Sequence, residues 1–275
     1  MKKIRSSYYI ILLIAALLLL CYLSSTEGFQ NEEPPPPQNS LALIIRGEGF
    51  RKGSQHSRDD GKSESYNEQK EACATHMALV RRIESLGYKV DIYIDSYNTQ
   101  YDKELLEWYG AHVKDSRFHT TKFASQNMLI KDSLDMLKDT LDTYDALLIL
   151  RMDLFLKERF INEYNPDTPT VQFPFNTWTI MKRTPGGNPR VADTIFHFPK
   201  EHYDKLHGLY DGETNGNHAF LDGVPLQYEK EFSYMTKHFH DSDSAKDFNP
   251  YYRIIGRPES TKWHDGEGKE FPRDF

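Results

Sequence analysis

Three short stretches place arginines, glycines and carboxylates directly behind apolar runs. Arg46-Gly47-Glu48-Gly49-Phe50-Arg51 follows Leu41–Ile45, Asp95 closes the alternating run that starts at Val90, and Arg151-Met152-Asp153 follows Ala146–Leu150. Guanidinium forks pair with phosphate oxygens through parallel hydrogen bonds, and glycine lets a backbone approach a ligand closely. The mixture suits an anionic ligand such as a nucleotide diphosphate, with Arg46, Gly47 and Arg51 lining its nucleotide side, Arg151 on the diphosphate and Asp95 against base or ribose. The plainer reading of the same residues is that polar side chains follow buried strands because the chain is leaving the core.

The elements that must position these residues can be read from periodicity. Leu41–Ile45 and Ala146–Leu150 are short, wholly apolar runs, as expected of parallel strands buried on both faces. Ser65 and Glu68 have the spacing of a capping box, Ala72, Leu79, Val80, Ile83 and Leu86 form an apolar face, and Gly87 can stop the helix in a left-handed conformation. Val90, Ile92 and Ile94 alternate with polar partners, the spacing of a strand. A short helix over 103–109 and a weak strand over 111–114 come next. Ile130, Leu134, Leu137, Leu141 and Tyr144 predict one long amphipathic helix leading into the strand at 146–150. Strands alternating with helices imply an α/β domain with a mostly parallel, Rossmann-type sheet, which binds ligands beyond the carboxyl ends of its strands. Beyond Phe160 the pattern loosens. Short strands are expected at 171–175 and 194–198, and a helix at 202–210.

The N-terminus has a different character. No charge occurs between Arg5 and Glu27, a stretch of about 21 residues that spans roughly 31 Å as a helix, enough to cross a bilayer core. Lys2, Lys3 and Arg5 precede it, and basic flanks stay cytoplasmic, so the remainder is expected on the far side. The expected organisation is a cytoplasmic tail over 1–7, a signal anchor over 8–26, a proline-rich stem over 27–40 and a single extracytoplasmic domain over 41–275. A cleaved signal peptide is the alternative; its apolar core is usually shorter, and the best exit here, Thr26-Glu27-Gly28, is only a passable match to a cleavage site. Pro34–Pro37 favours an extended polyproline stem. A net charge of −7 without a long basic run argues against a general nucleic-acid binder. Cys73 is the one cysteine beyond the apolar segment, so the domain has no internal disulfide.

A type II anchor, a stem, an α/β domain and an acidic motif just behind a central strand together resemble Golgi-type and polysaccharide-synthesis glycosyltransferases of the GT-A fold. The stretch that carries the resemblance is Tyr144-Asp145-Ala-Leu-Leu-Ile-Leu-Arg151-Met152-Asp153. In that family an Asp-x-Asp motif holds a divalent ion, usually manganese, against the diphosphate of a nucleotide-sugar. Here Arg151 stands at the first carboxylate position. The resemblance implies a nucleotide-sugar donor, a glycan or similar acceptor, Mn2+ or Mg2+ at Asp153, and a Golgi or ER lumen location in a eukaryotic or viral setting. Arg151 could instead neutralise the diphosphate itself and make a metal unnecessary.

On the sugar side the resemblance directs attention to Asp193, His218 and Asp222. Asp193 could touch donor sugar or metal, or be a strand-entry aspartate. His218, in Asn215-Gly-Asn-His218, could bind metal or phosphate, or be an ordinary loop histidine. Asp222 could serve as base in an inverting reaction. His238-Phe-His240-Asp241-Ser-Asp243 has metal-ligand residue types, but its members lie too close in sequence to converge from one strand or helix. Two rival functions remain at this level. A sulfotransferase would need lysine and a hydroxyl in the loop after the first strand, and Arg46-Gly-Glu-Gly has neither. A degenerate fold that binds without catalysis would account for Arg151.

Overall fold

Leu41–Ile45 is fully buried, as a run apolar on both faces requires, and it lies inside the longer strand β1 (Asn39–Gly47) of a computed structural model. The structure describes residues 39–50, 63–121, 123, 126–173, 194–209, 232–234, 251–255, 263–264 and 270–271. The expected tail and anchor, and the stem up to residue 38, lie outside them. No described helix is long and apolar enough to cross a membrane.

After β1 come α1 (Ser63–Ser85), β2 (Tyr88–Tyr97), α2 (Asp102–Tyr109), β3 (Val113–His119), α3 (Gln126–Asp135), β4 (Ala146–Arg151), β5 (Leu154–Leu156), α4 (Glu158–Glu163), β6 (Val171–Phe173) and β7 (Ile195–Pro199). A 3-10 segment, Lys200–Leu209, replaces the α-helix expected over 202–210. Short strands β8 (Phe232–Tyr234), β9 (Tyr252–Ile254), β10 (Trp263–His264) and β11 (Glu270–Phe271) complete the described residues.

The central sheet runs β3-β2-β1-β4-β7-β6-β8. The first four strands are mutually parallel and β7 alone among the described strands of this sheet runs against them. The expectation of a mostly parallel α/β sheet flanked by helices therefore holds. Its two faces have separate cores. Leu43, Ile45, Ile92, Ile94, Leu148 and Leu150 pack under α1, against Leu79, Val80 and Ile83. Ala42, Ile44, Tyr93, Leu147, Ile149 and Phe196 pack on the other face against Ile130 of α3, with Leu137 and Leu206.

Several element boundaries differ from those expected. α1 starts at Ser63, so Ser65 and Glu68 lie inside the helix rather than forming its capping box, and Ser65 is buried. β1 begins at Asn39, inside the stretch expected to be stem. Ser40 is held there: its N–H and hydroxyl donate to Asp145 and its hydroxyl also reaches the Thr143 carbonyl. The single long helix over 130–144 is instead α3 followed by tightened turns, in which Leu137 N–H bonds the Leu134 carbonyl at 2.9 Å and Tyr144 N–H bonds Leu141 at 3.0 Å. Leu137 and Tyr144 are buried all the same, because consecutive turns keep the apolar side facing inward. β3 extends to His119, five residues past its expected end.

Candidate functional site

Strand order 3-2-1-4 reverses direction between β1 and β4, and that is the crevice where open α/β sheets bind ligands. Arg46 and Arg151 are register partners across this switch point. Asp95 is the partner of Arg46 on the other side, and Arg117 the partner of Asp95. Register partners in a parallel sheet point to one face, with neighbouring strands about 4.8 Å apart. Arg117, Asp95, Arg46 and Arg151 thus form one row at the carboxyl edge, on the face covered by α3.

Each member is held differently. Arg46 is 1% exposed and the central carbon of its guanidinium lies 6.0 Å from the Phe196 ring centre. Arg151 closes on Asp153 in a bidentate pair, Nε to Oδ1 at 2.9 Å and a terminal nitrogen to Oδ2 at 2.6 Å. Asp153 is 2% exposed. Both Asp153 oxygens accept from this one buried guanidinium, so a divalent ion there would share the carboxylate with a positive charge in low-dielectric surroundings, and the Arg-x-Asp stretch is a poor fit for a metal in this arrangement. Arg46 and Arg151 stand side by side at the switch point, both buried, with the Arg151 fork engaged by Asp153.

Asp95 sits near the carboxyl end of β2. It is fully buried; Ser133 of α3 donates to Oδ2 at 2.6 Å and His119 of β3 contacts Oδ1 at 2.6 Å. Burial pushes its carboxyl upward from the ordinary range, opposed by those two hydrogen bonds. The His119 Nε2 also lies 3.3 Å from Asp132 Oδ2, and Arg117 donates to that same oxygen at 3.1 Å. His119 and Asp132 were not singled out from the sequence. His119 lay beyond the expected end of its strand, and Asp132 is one acidic residue on an otherwise ordinary amphipathic helix.

Helix α1 fixes the loops behind β1 and β4. Gln69, fully buried, accepts the Phe50 N–H at 2.9 Å and donates to the Met152 carbonyl at 3.0 Å. His76 Nε2–H donates to the Leu154 carbonyl and its Nδ1 accepts the Tyr109 hydroxyl, both at 2.8 Å. Burial lowers His76 to about 4. A Cβ on Gly49 would meet the Met152 sulfur at 2.9 Å, so the two loops touch there, and Gly47 takes φ +108°, a conformation that favours glycine. The Met152 N–H bonds the Arg46 carbonyl at 2.7 Å. Gly47, Asp95, Arg46, Arg151 and Asp153 are therefore brought to one edge. Arg51, Asp193, His218, Asp222 and the 238–243 segment lie outside the described residues. Tyr251 and Tyr252 are buried, as core-packing tyrosines.

No family model matches the chain, and no curated protein does. Among solved structures the chain resembles, at class level, proteins described as sugar transferases. A nucleotide-diphospho-sugar transferase structure from Desulfovibrio desulfuricans is 12% identical with a TM-score of 0.40, covering 74% of this chain and 82% of that one. A Drosophila β-1,4-galactosyltransferase 7 variant in complex with manganese, UDP-Gal and xylobiose is 13% identical with a TM-score of 0.40, covering 83% and 77%. A glycosyltransferase involved in glycosylation of the major capsid of PBCV-1 is 6% identical with a TM-score of 0.40, covering 79% and 92%.

Proposed function

We propose that this chain is a glycosyltransferase that binds a nucleotide-sugar at the β1/β4 edge and passes the sugar to a glycan or similar acceptor. The observation that carries the reading is the register pairing of Arg46 with Arg151 at the topological switch point. Two guanidinium groups, a left-handed glycine turn at Gly47 and two loops held by Gln69 support a diphosphate site, in which the Arg151 fork would exchange Asp153 for phosphate oxygens. The arginines orient and neutralise the leaving diphosphate. Asp193 and Asp222 are the proposed sugar-side carboxylates, and His218 and Arg51 the proposed phosphate-side additions. A bound metal, in such transferases, stabilises charge on the leaving nucleotide. The N-terminal segment 8–26 is proposed as a type II anchor with 27–38 as its stem, placing the domain in a Golgi- or ER-type lumen; the apolar run and its basic N-terminal flank support this.

The closed Arg151–Asp153 pair favours a second reading, in which the domain binds a nucleotide-sugar without turnover. Calorimetric titration of the full chain with a panel of nucleoside diphosphates and nucleotide-sugars, followed by product analysis with and without Mn2+, tests both. Binding plus sugar release to water or an acceptor supports the transferase. Binding without release in every condition supports the second reading, and no binding overturns both.

A further inference from the structure

We infer that Asp95, His119 and Asp132 form a binding site for one divalent first-row transition ion, held by Asp95 Oδ1, His119 Nε2 and Asp132 Oδ2. Their candidate ligand atoms lie within 4.8 Å of one another, and they come from three elements, β2, β3 and α3. His119 Nε2 is 2.6 Å from the Asp95 oxygen and 3.3 Å from the Asp132 oxygen. Around an ion held at about 2.1 Å, neighbouring ligand atoms stand about 3.0 Å apart in an octahedral shell and about 3.4 Å in a tetrahedral one. The two distances from His119 Nε2 lie on either side of the octahedral spacing, so small shifts of the carboxylates would bring the atoms around an ion. One imidazole N–H cannot serve two carboxylate oxygens equally, whereas a cation at their centre meets both.

The surroundings are those of a supported metal site. Ser133 Oγ donates to the other Asp95 oxygen at 2.6 Å, fixing the carboxylate from outside. Phe123, centroid to centroid at 4.7 Å, and Tyr97 at 6.2 Å hold the His119 ring edge-on. Asp95 is fully buried while the His119 and Asp132 side chains are 20% and 27% exposed, which leaves an open side for entry and for water ligands. Arg117 donates to Asp132 Oδ2 at 3.1 Å and to its carbonyl at 3.2 Å; a carboxylate oxygen has two lone pairs and can accept that bond and an ion together. One imidazole with two carboxylates suits Zn2+, Mn2+ or Co2+ better than Mg2+ or Ca2+, which favour all-oxygen shells. The site is separate from Arg151–Asp153, and its occupancy does not depend on the transferase reading.

The test uses the full chain, stripped with chelator, without any nucleotide. Equilibrium dialysis against Co2+ should load a single equivalent with a visible ligand-field band. Pulsed electron paramagnetic resonance of Mn2+-loaded protein should show modulation from an imidazole nitrogen. His119→Gln and Asp132→Asn should each weaken Co2+ binding at least tenfold, and Ser133→Ala, which touches no ion, by about 10–100-fold. The Mn2+ spectrum needs no variant, so it stands even where a substitution impairs folding. No stoichiometric Co2+ uptake by the wild-type chain, or a Mn2+ spectrum without nitrogen, overturns the proposal and leaves His119 as a hydrogen-bonding partner of two carboxylates. Loss of nucleotide binding with intact Co2+ binding would count against the transferase reading alone.

Discussion

Arg151 and Asp153 show how a pair of side chains can read one way in sequence and act another way in space. Spacing placed both behind a strand; Arg151 is instead the last residue of β4, and Asp153 lies in the turn beyond it. What spacing could not convey is that the chain turns after β4 so that the two close on each other. Breaking a buried pair from one side leaves an uncompensated charge, at a cost of about 3–5 kcal/mol. Asp153→Ala is therefore expected to lower stability to urea by about that much, and the double replacement Arg151→Met with Asp153→Leu by much less. A second residue-scale effect is pH. His197 is buried, with the Tyr164 hydroxyl on Nδ1 at 2.9 Å and its Nε2 facing the Thr168 carbonyl at 3.2 Å, and burial lowers it to about 4 from an ordinary 6.5. Above about pH 6.5 the ring is neutral folded or unfolded and costs nothing. Between 6.5 and 4 the unfolded chain takes up a proton that the folded chain refuses, so stability falls as pH falls, by up to about 3 kcal/mol. Urea midpoints measured from pH 7 to 4.5 should drop, and His197→Gln should reduce that drop without abolishing it, because buried His76, also lowered to about 4, contributes in the same direction.

At the scale of elements, the hydrophobic pattern located β1 and β4 because buried parallel strands are apolar on both faces, and β2 by its alternation; β3, polar and half-exposed, gave a signal only at its start. The pattern overextended the helix after residue 130, since apolar spacing reports which side faces the core and survives a change from α-helix to tightened turns. The hydroxyl of Thr143 bonding the Thr140 carbonyl at 2.6 Å is part of that local change. It also gave no hint of β5 pairing with β9, whose partners are far apart in sequence. The start of β1 has a practical consequence. A fragment beginning at Leu41 loses Asn39 and Ser40, their pairing with Tyr88 and Lys89, and the Ser40–Asp145 contacts. It should melt several degrees below one beginning at Pro37, by thermal denaturation. Gln69 offers a sharper test of how α1 holds the edge. Gln69→Leu removes the partners of the Phe50 N–H and the Met152 carbonyl, both in buried surroundings. Stranded groups of this kind cost about 1–3 kcal/mol each, and the Phe50 amide should exchange faster with deuterium than in the parent.

For the whole molecule the decisive property is the asymmetry of the sheet's two edges. At the carboxyl edge stand Arg46, Asp95, Arg117, Arg151 and, behind them, His119 and Asp132; the amino edge holds Ser40, Lys89 and Asp145, whose contacts tie strand starts to one another. Strand periodicity identified the carboxyl edge from sequence, because it marks where each apolar run stops. It could not show that β1 and β4 are neighbours in register, which is a property of topology and places Arg46 beside Arg151. If the diphosphate is read by that pair, charge alone is insufficient and the fork geometry matters. Arg46→Lys should keep the positive charge yet weaken nucleoside-diphosphate binding about tenfold or more, by calorimetric titration. Lys89→Ala removes a cation from the opposite edge, where the side chain is 57% exposed and paired with Asp91 at 2.9 Å; it should leave nucleotide affinity unchanged. Equal losses in both variants would mean that the chain attracts nucleotides by its general surface charge, and the switch-point crevice would then have no special part in binding them.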